Sequence, residues 1–253
     1  MTAAIAKTIA STFDAVLFDL DATLLDTESL LDDAISHVLE RDYAFRVSEE
    51  SLAEVRGLAD LGVGSWTQRL VDKHSLSCTP AQLHDAAYAY FDAHMDEHGV
   101  ALMPGVDELI SSLATTGTVI GIVTSSTRSS LLRKLASHTA LFACVRTAVT
   151  VDDVTMAKPD PSCYILAAAQ LGVDITRCLV FEDSVPGVTA AVAAGATVVA
   201  VPHARGHAAV AACGAHVILN SLTELKAAPL PHAEVQCGVN LLSRCLDETM
   251  IAK

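Results

Sequence analysis

Two aspartates, Asp19 and Asp21, directly follow the apolar run 15–18. A short apolar run of this kind predicts a buried strand, and residues two apart on extended backbone point to the same side. Both carboxylates therefore leave the end of the strand together. Close like charges repel and are costly to bury, so the pair indicates a bound cation, an acid, or both. The alternative interpretation, capping of the next helix, needs only one Asp.

A cluster of hydroxyls, Thr124, Ser125 and Ser126, follows a second apolar run, 119–123, and precedes a predicted helix. Backbone N–H groups at a helix N-terminus bind phosphate readily, and hydroxyls add further donors. Taken alone, the same pattern is also typical of an ordinary helix cap.

A lysine and a second acidic pair complete the set. Lys158 precedes Pro159 and another predicted helix, so its ammonium is positioned to neutralise an anionic site. A solvated surface lysine would have the same local pattern. Glu182 and Asp183 follow the apolar run 178–181.

All of these stretches lie at or near the carboxyl ends of predicted strands. In an open α/β sheet, ligands bind beyond those ends. Oxygen ligands from Asp19, Asp183 and a backbone carbonyl suit a hard cation such as Mg²⁺. Four weak signals at one edge of a sheet make a site a stronger prediction than any of them alone.

The apolar runs alternate with helical periodicity through most of the chain, which predicts an α/β fold with a parallel sheet covered on both faces. Predicted strands are 15–18, 119–123, 178–181, 197–201 and 216–219. Predicted helices between them are 106–113, 129–137, 162–171 and 188–194.

The segment 29–98 breaks this alternation, because it shows helical patterns with little strand signal. We therefore expect a helical insert at 29–98 within a core formed by 13–28 and 99–225. Residues 1–12 and 226–253 are expected to be terminal extensions, the first a short tail and the second with an amphipathic helix at 239–252.

Composition limits the classes of binding partner that the chain can have. The 253 residues are 51% hydrophobic and carry a formal net charge of −14, which argues against a nucleic-acid partner. No apolar run approaches the length of a membrane span, and the N-terminus resembles neither a signal nor a transit peptide, so a cytoplasmic location is expected. Seven dispersed cysteines without a CxxC pair indicate reduced thiols rather than a zinc site. The sequence does not predict an oligomeric state.

The motifs together resemble those of the haloacid dehalogenase superfamily, in the branch of sugar-phosphate phosphatases and β-phosphoglucomutase. The run Asp19-Leu20-Asp21-Ala22-Thr23 matches the first family motif. Thr124 matches the second motif, Lys158 the third, and Glu182-Asp183 the fourth. The resemblance covers about residues 13–202. It implies a Rossmann-like core and a mobile helical cap inserted after the first motif.

The resemblance also implies roles for these residues. Asp19 would be the nucleophile that forms an aspartyl-phosphate, and Asp21 the acid and base, with its backbone carbonyl on Mg²⁺. Asp183 would ligate Mg²⁺, and Glu182 would be either a ligand or an orienting group. The phosphoryl group would be bound by four residues: Thr124, Ser125, Ser126 and Lys158. The implied function is a Mg²⁺-dependent phosphomonoesterase that acts on a small phosphorylated metabolite, either a sugar or a nucleoside phosphate.

One position departs from the branch. Ala22 stands where glycine is usual, and if that position needs a positive φ, alanine costs about 1 kcal/mol or more. We expect activity to survive this change.

The sequence says less about the substrate than about the reaction. The stretches 102–105, 124–126 and 181–183 resemble those of pseudouridine-5′-phosphatases. Trp66, Gln68 and Arg69 of the insert could touch a leaving group, or could simply pack or face water.

Three alternatives remain. A dehalogenase needs one carboxylate and no metal, so Asp21 and the second acidic pair argue against it. The phosphomutases of the branch have an arginine three residues after a cap glycine, and Asp60 occupies that position after Arg56 and Gly57. A protein that binds without catalysis is the third, and it leaves the retained site residues unexplained.

Overall fold

A computed structural model describes residues 3–55, 65–202 and 207–226. The chain divides into two compact units: a helical unit, residues 26–101, and a core unit, residues 1–25 with 102–253. The interval predicted as a helical insert, 29–98, lies within the helical unit. The predicted C-terminal helix, 239–252, lies outside the described residues, as does all but the first residue of the predicted extension 226–253.

In the described part of the core unit, six parallel strands form one sheet with the order β3-β2-β1-β4-β5-β6. The predicted α/β class with a Rossmann-like parallel sheet is therefore confirmed. The strands are β1 (Ala15–Phe18), β2 (Val119–Val123), β3 (Val145–Val149), β4 (Cys178–Glu182), β5 (Thr197–Ala200) and β6 (Val217–Ile218). The central strand β1 lies between β2 and β4, and Phe18 is in register with both Ile122 and Phe181.

The central strands are buried on both faces, which is why they appear in the sequence as continuous apolar runs. One face packs against helices that contribute Tyr164 and Val188, among other buried residues. The helices of the core unit are α1 (Ala3–Thr12), α6 (Val106–Thr115), α7 (Arg128–Leu135), α8 (Ser162–Leu171), α9 (Val185–Ala194) and α10 (His207–Ala212).

The expectation of a short N-terminal tail was wrong, because residues 3–12 form the helix α1. Ile5, Ala6 and Ile9 are buried. Their spacing places them on one helical face, which packs in the core unit. The strand β3 was missed because its residues Val145–Val149 are mostly only half-buried at a sheet edge, so no continuous apolar run marks them. The short helix α10 was missed as well.

The helical unit contains α2 (Thr27–Tyr43), α3 (Glu49–Val55), α4 (Ser65–His74) and α5 (Pro80–His98) among its described residues. These helices enclose a separate apolar cluster around Trp66, with Leu39 from α2 and Leu83 from α5. At the start of α5, Thr79 and Gln82 form a reciprocal capping box. No described helix is both long enough and apolar enough to cross a lipid bilayer.

Candidate active site

Three neighbouring strands deliver acidic and hydroxyl groups to one edge of the sheet. Asp19 follows β1, Thr124 follows β2, and Glu182 ends β4. The amide of Asp19 donates to the carbonyl of Phe181 at 3.0 Å, which holds the start of the loop against β4. The parallel order of the strands therefore brings together residues that are more than a hundred positions apart.

Lys158 connects the acidic groups of two strands. Its Nζ donates to Asp19 Oδ1 at 2.7 Å, to Glu182 Oε1 at 2.7 Å and to the carbonyl of Val123 at 3.0 Å. The side chain is only 4% exposed. It is therefore held within the site by protein groups rather than by water, which decides against a solvated surface lysine.

Burial and the charge of the partner have opposite effects on the pKa values of Asp19 and Lys158. Burial raises the pKa of Asp19 well above its ordinary value, the Lys158 ammonium lowers it, and the charges of Glu182 and Asp21 raise it further. For Lys158, burial lowers the pKa, but Asp19 and Glu182 outweigh burial and hold it well above its ordinary value. Lys158 therefore stays charged between the two carboxylates that it contacts.

Glu182 is fully buried, and both of its oxygens accept hydrogen bonds. Oε1 accepts from Lys158 Nζ and, at 2.9 Å, from the Tyr164 hydroxyl. Oε2 accepts from the backbone amides of Asp183 and Ser184 at 3.0 and 3.1 Å, and from Ser184 Oγ at 3.1 Å. The carboxylate therefore fixes Lys158 from one side and the start of α9 from the other.

An acidic cluster of Asp19, Glu182 and Asp183 has the donor chemistry for a metal ion. One carboxylate oxygen from each residue lies within 4.8 Å of the others. Asp183 is oriented by Thr23, whose Oγ1 donates to Asp183 Oδ1 at 3.1 Å. Carboxylate oxygens gathered in this way fit Mg²⁺, which prefers hard oxygen ligands.

The second aspartate of the first motif has its own set of partners. Ser126 Oγ donates to Asp21 Oδ2 at 2.8 Å, and Thr124 Oγ1 approaches the same oxygen at 3.4 Å. Lys134 Nζ donates to Asp21 Oδ1 at 2.5 Å and to Ser126 Oγ at 2.8 Å. Of the predicted hydroxyl cluster, Ser125 is exposed.

Sequence reasoning missed Lys134. It lies in the last turn of α7, three residues after Leu131, and both residues are buried. A lysine on the apolar face of an amphipathic helix is the signal that could have identified it, because lysine is rarely buried without a partner.

The helix α7 begins at Arg128, one residue before the predicted start at 129. Its N-cap is Thr127, whose side chain accepts from the amide of Ser130. Thr124 and Ser126 therefore lie in the turn between β2 and the helix, and Ser126 donates its amide to Thr124 Oγ1 at 3.0 Å.

A family model described as haloacid dehalogenase-like hydrolase matches residues 16–201. This span contains the whole site described above. The chain belongs to the haloacid dehalogenase-like hydrolases. The predicted family is thereby confirmed, together with its fold.

Two curated relatives of this hydrolase are named phosphatases. A bifunctional riboflavin kinase/FMN phosphatase of Arabidopsis thaliana is 33% identical over 74% of this chain and 48% of its own length. The chain thus spans about half of that relative. A probable pseudouridine-5′-phosphatase of Drosophila melanogaster is 32% identical over 75% of this chain and 81% of its own length.

A solved structure extends the similarity to three dimensions. It is a hydrolase of the same family from Deinococcus radiodurans, with bound phosphate and sodium. It is 32% identical, has a TM-score of 0.71, and covers 85% of this chain and 94% of its own. This chain is a phosphatase of that family, as its motifs predicted.

Of the three residues that could touch a leaving group, Trp66 packs in an apolar cluster, whereas Gln68 and Arg69 lie near acidic side chains. Trp66 is buried in the apolar cluster of the helical unit, so packing accounts for it. Gln68 donates to Asp72 at 2.8 Å, and Arg69 lies 3.6 Å from a carboxylate oxygen of Glu54. The residues that argue against a phosphomutase, Arg56, Gly57 and Asp60, lie outside the described residues.

Proposed function

We propose that this protein is a Mg²⁺-dependent phosphomonoesterase that hydrolyses a small phosphorylated metabolite, a sugar or nucleoside phosphate, through an aspartyl-phosphate. The observation that carries the proposal is the contact of Asp19 with Lys158 beside the acidic cluster. The Asp19 carboxylate is held by one buried cation, Lys158, and lies next to oxygen ligands for a second cation. A nucleophile that attacks an anion requires such an arrangement.

Asp19 is assigned as the nucleophile. One of its carboxylate oxygens attacks the phosphorus, the bond from phosphorus to the leaving-group oxygen breaks, and that oxygen takes a proton from Asp21. Lys158 binds Asp19 at Oδ1 and offsets negative charge on the phosphoryl group as it moves.

The second step releases phosphate. Asp21, now ionised, takes a proton from water, and the oxygen of that water attacks the phosphorus of the aspartyl-phosphate. The bond between phosphorus and the Asp19 oxygen breaks, which regenerates both carboxylates in their starting forms.

Asp19, Asp183 and the backbone carbonyl of Asp21 would hold Mg²⁺. The ion would add positive charge beside the transferring phosphoryl oxygens. We assign Glu182 as the group that orients Lys158 rather than as a ligand, because both of its oxygens already accept hydrogen bonds from the protein.

We assign the phosphoryl oxygens to Thr124 and Ser125, with Lys158 beside them as a compensating positive charge, because its three N–H groups already donate to Asp19, Glu182 and Val123. Ser126, also predicted to bind them, already donates its hydroxyl to Asp21. Its backbone amide also donates to Thr124 Oγ1, at 3.0 Å, so we assign Ser126 to holding Asp21 and Thr124 rather than to the phosphoryl group.

The relatives suggest which substrates to test first. FMN and pseudouridine 5′-phosphate are both 5′-phosphate monoesters of a five-carbon chain that carries a heterocycle, and the two curated relatives are named for acting on them. We infer that 5′-phosphates whose five-carbon chain carries a nitrogen heterocycle are hydrolysed faster than hexose phosphates.

Phosphate release from a panel of phosphorylated metabolites, with Mg²⁺ and with EDTA, tests the proposal. We expect release only with Mg²⁺. Asp19→Asn should lower kcat by at least about 10³-fold, or about 4 kcal/mol of barrier, because an amide cannot act as the nucleophile. The matched control is Asp14→Asn at the other end of β1, where the exposed carboxylate pairs with Arg177. An Asp19→Asn protein as active as wild type would refute the assignment.

Two additional assays separate the alternatives. Conversion of β-glucose 1-phosphate to glucose 6-phosphate without free phosphate would indicate a mutase. Chloride release from a 2-haloacid in EDTA would indicate a dehalogenase.

A further inference from the structure

Lys134 is buried, and its charged partner in the contacts described above is a single carboxylate, that of Asp21. Its side chain is 9% exposed, whereas the side chain of Asp21, which it contacts at 2.5 Å, is 34% exposed. Burying an ammonium costs free energy that is recovered only through a close opposite charge and good hydrogen bonds. A lysine placed at this cost has a function that an apolar residue on the same helix face could not fulfil.

The contacts of Lys134 form a closed triangle. Its Nζ donates to Asp21 Oδ1 and to Ser126 Oγ, and Ser126 Oγ donates in turn to Asp21 Oδ2. Lys134 therefore binds one oxygen of the Asp21 carboxylate and Ser126 binds the other, which Thr124 Oγ1 also approaches at 3.4 Å, and Lys134 and Ser126 bind each other. This arrangement fixes both the position and the rotation of the carboxylate plane.

Two lysines thus serve two carboxylates in the same site. Lys158, from the segment before α8, contacts Asp19, and Lys134, from the last turn of α7, contacts Asp21. Proton transfer to a leaving group depends strongly on the orientation of the acid, because a small misplacement of a catalytic group has a large effect on rate.

We propose that Lys134 is a positioning residue that, directly and through Ser126, holds Asp21 in the orientation needed to give a proton to the leaving group and to take one from water. The proposal rests on the proposed function, in which Asp21 is the acid and base. Lys134 acts through Asp21 and need not touch the substrate.

Leaving-group dependence tests this role. A good leaving group such as p-nitrophenolate departs without a proton, whereas phenolate needs one. In Lys134→Met, kcat/KM on phenyl phosphate should fall at least about tenfold more than kcat/KM on p-nitrophenyl phosphate, because kcat/KM reports the first step, in which only phenolate requires a well-placed acid. Asp21→Asn should show the same selectivity. Equal losses on both substrates would overturn the proposal, since they indicate a structural or phosphate-binding role.

The double variant Lys134→Met with Asp21→Asn measures the coupling. Once Asp21 can no longer transfer a proton, loss of Lys134 should cost less than about twofold more on phenyl phosphate. Full additivity would overturn the proposal. Arg146→Met is the matched control, because it removes one positive charge from an exposed position on β3. It should leave both rates unchanged.

Crystal structures give a readout that does not depend on activity. In Lys134→Met the Asp21 side chain should leave its wild-type position, and an unchanged position would overturn the proposal even if the wild type released no phosphate. Failure of the proposed function would instead appear as an inactive wild type across the whole panel. If Lys134→Met is too unstable to purify, Ser126→Ala removes the second donor by the loss of one oxygen and carries the same leaving-group test.

Discussion

At the scale of single residues, the site is a set of carboxylates whose surroundings differ. Asp19 is buried against Lys158, whereas Asp21 is partly exposed and bound by a hydroxyl and Lys134. Two carboxylates in different surroundings can divide the roles of nucleophile and acid between them. The physical basis for that division is visible in their partners rather than in their residue type.

Ala22, directly after Asp21, meets the condition under which alanine is costly at this position, a positive φ. Ala22 has a φ of 60°, in the left-handed region that favours glycine, and its amide donates to the carbonyl of Leu25 at 2.8 Å. The turn therefore keeps a conformation that alanine adopts only at a cost of about 1–2 kcal/mol.

Ala22→Gly should stabilise the protein. Relief of the strain exceeds the added entropy of the unfolded chain, about 0.4–1 kcal/mol, so the melting temperature should rise by about 1–4 °C. Turnover should change by less than about tenfold. The matched control is Ala44→Gly, since Ala44 has a φ of 49° at the end of α2. It should give the thermal gain without a change in kcat. A much larger rise in turnover for Ala22→Gly would show that the natural loop limits the enzyme.

At the scale of elements, the turn from β4 into α9 is built around Glu182. The helix start lies so close to this carboxylate that a Cβ at Gly187 would overlap both of its oxygens. Gly187 is therefore required by space rather than by backbone conformation, and it allows α9 to cover the buried acid that orients Lys158.

Gly187→Ala should displace Glu182 and, with it, Lys158. We expect kcat to fall by at least about tenfold and stability to fall by about 1–3 kcal/mol, the usual cost of forcing extra volume into a packed site. Steady-state kinetics and chemical denaturation measure the two effects. Thr189→Ala, in the same helix, removes only a hydroxyl that donates to the carbonyl of Val185 and should change neither by much. Wild-type kcat in Gly187→Ala would show that Glu182 does not position Lys158.

At the scale of the whole molecule, the acidic cluster connects two adjacent strands of the core sheet in a chain whose net charge is −14. A cation bound there would stabilise the folded state, because the unfolded chain separates its ligands. Metal binding and the stability of the core unit should therefore be coupled.

Thermal unfolding with and without Mg²⁺ tests this coupling. The stabilisation should approach about 2.7 kcal/mol when the Mg²⁺ concentration is a hundred times Kd, and EDTA should remove it. Asp183→Asn should lose most of the Mg²⁺-dependent gain, while Asp14→Asn should retain it. A full gain in Asp183→Asn would exclude Asp183 as a ligand.

Local patterns predicted much of this fold, and their failures have physical causes. The runs 15–18 and 119–123 were correct to the residue because buried parallel strands are apolar on both faces. The edge strand β3 lacks such a run, and α1 lies where a tail was expected because its burial depends on packing in the core unit.

The sequence by itself determined which residues stand at the strand ends, because Asp19, Thr124, Glu182 and Asp183 follow apolar runs directly along the chain. Only the tertiary structure decided how those groups are paired. The contacts Lys158–Asp19 and Lys134–Asp21 join residues 139 and 113 positions apart. Strand order and helix packing set such contacts, and no local pattern records them. The helical pattern of α7 could mark Lys134 as buried, but only the fold shows that its partner is Asp21.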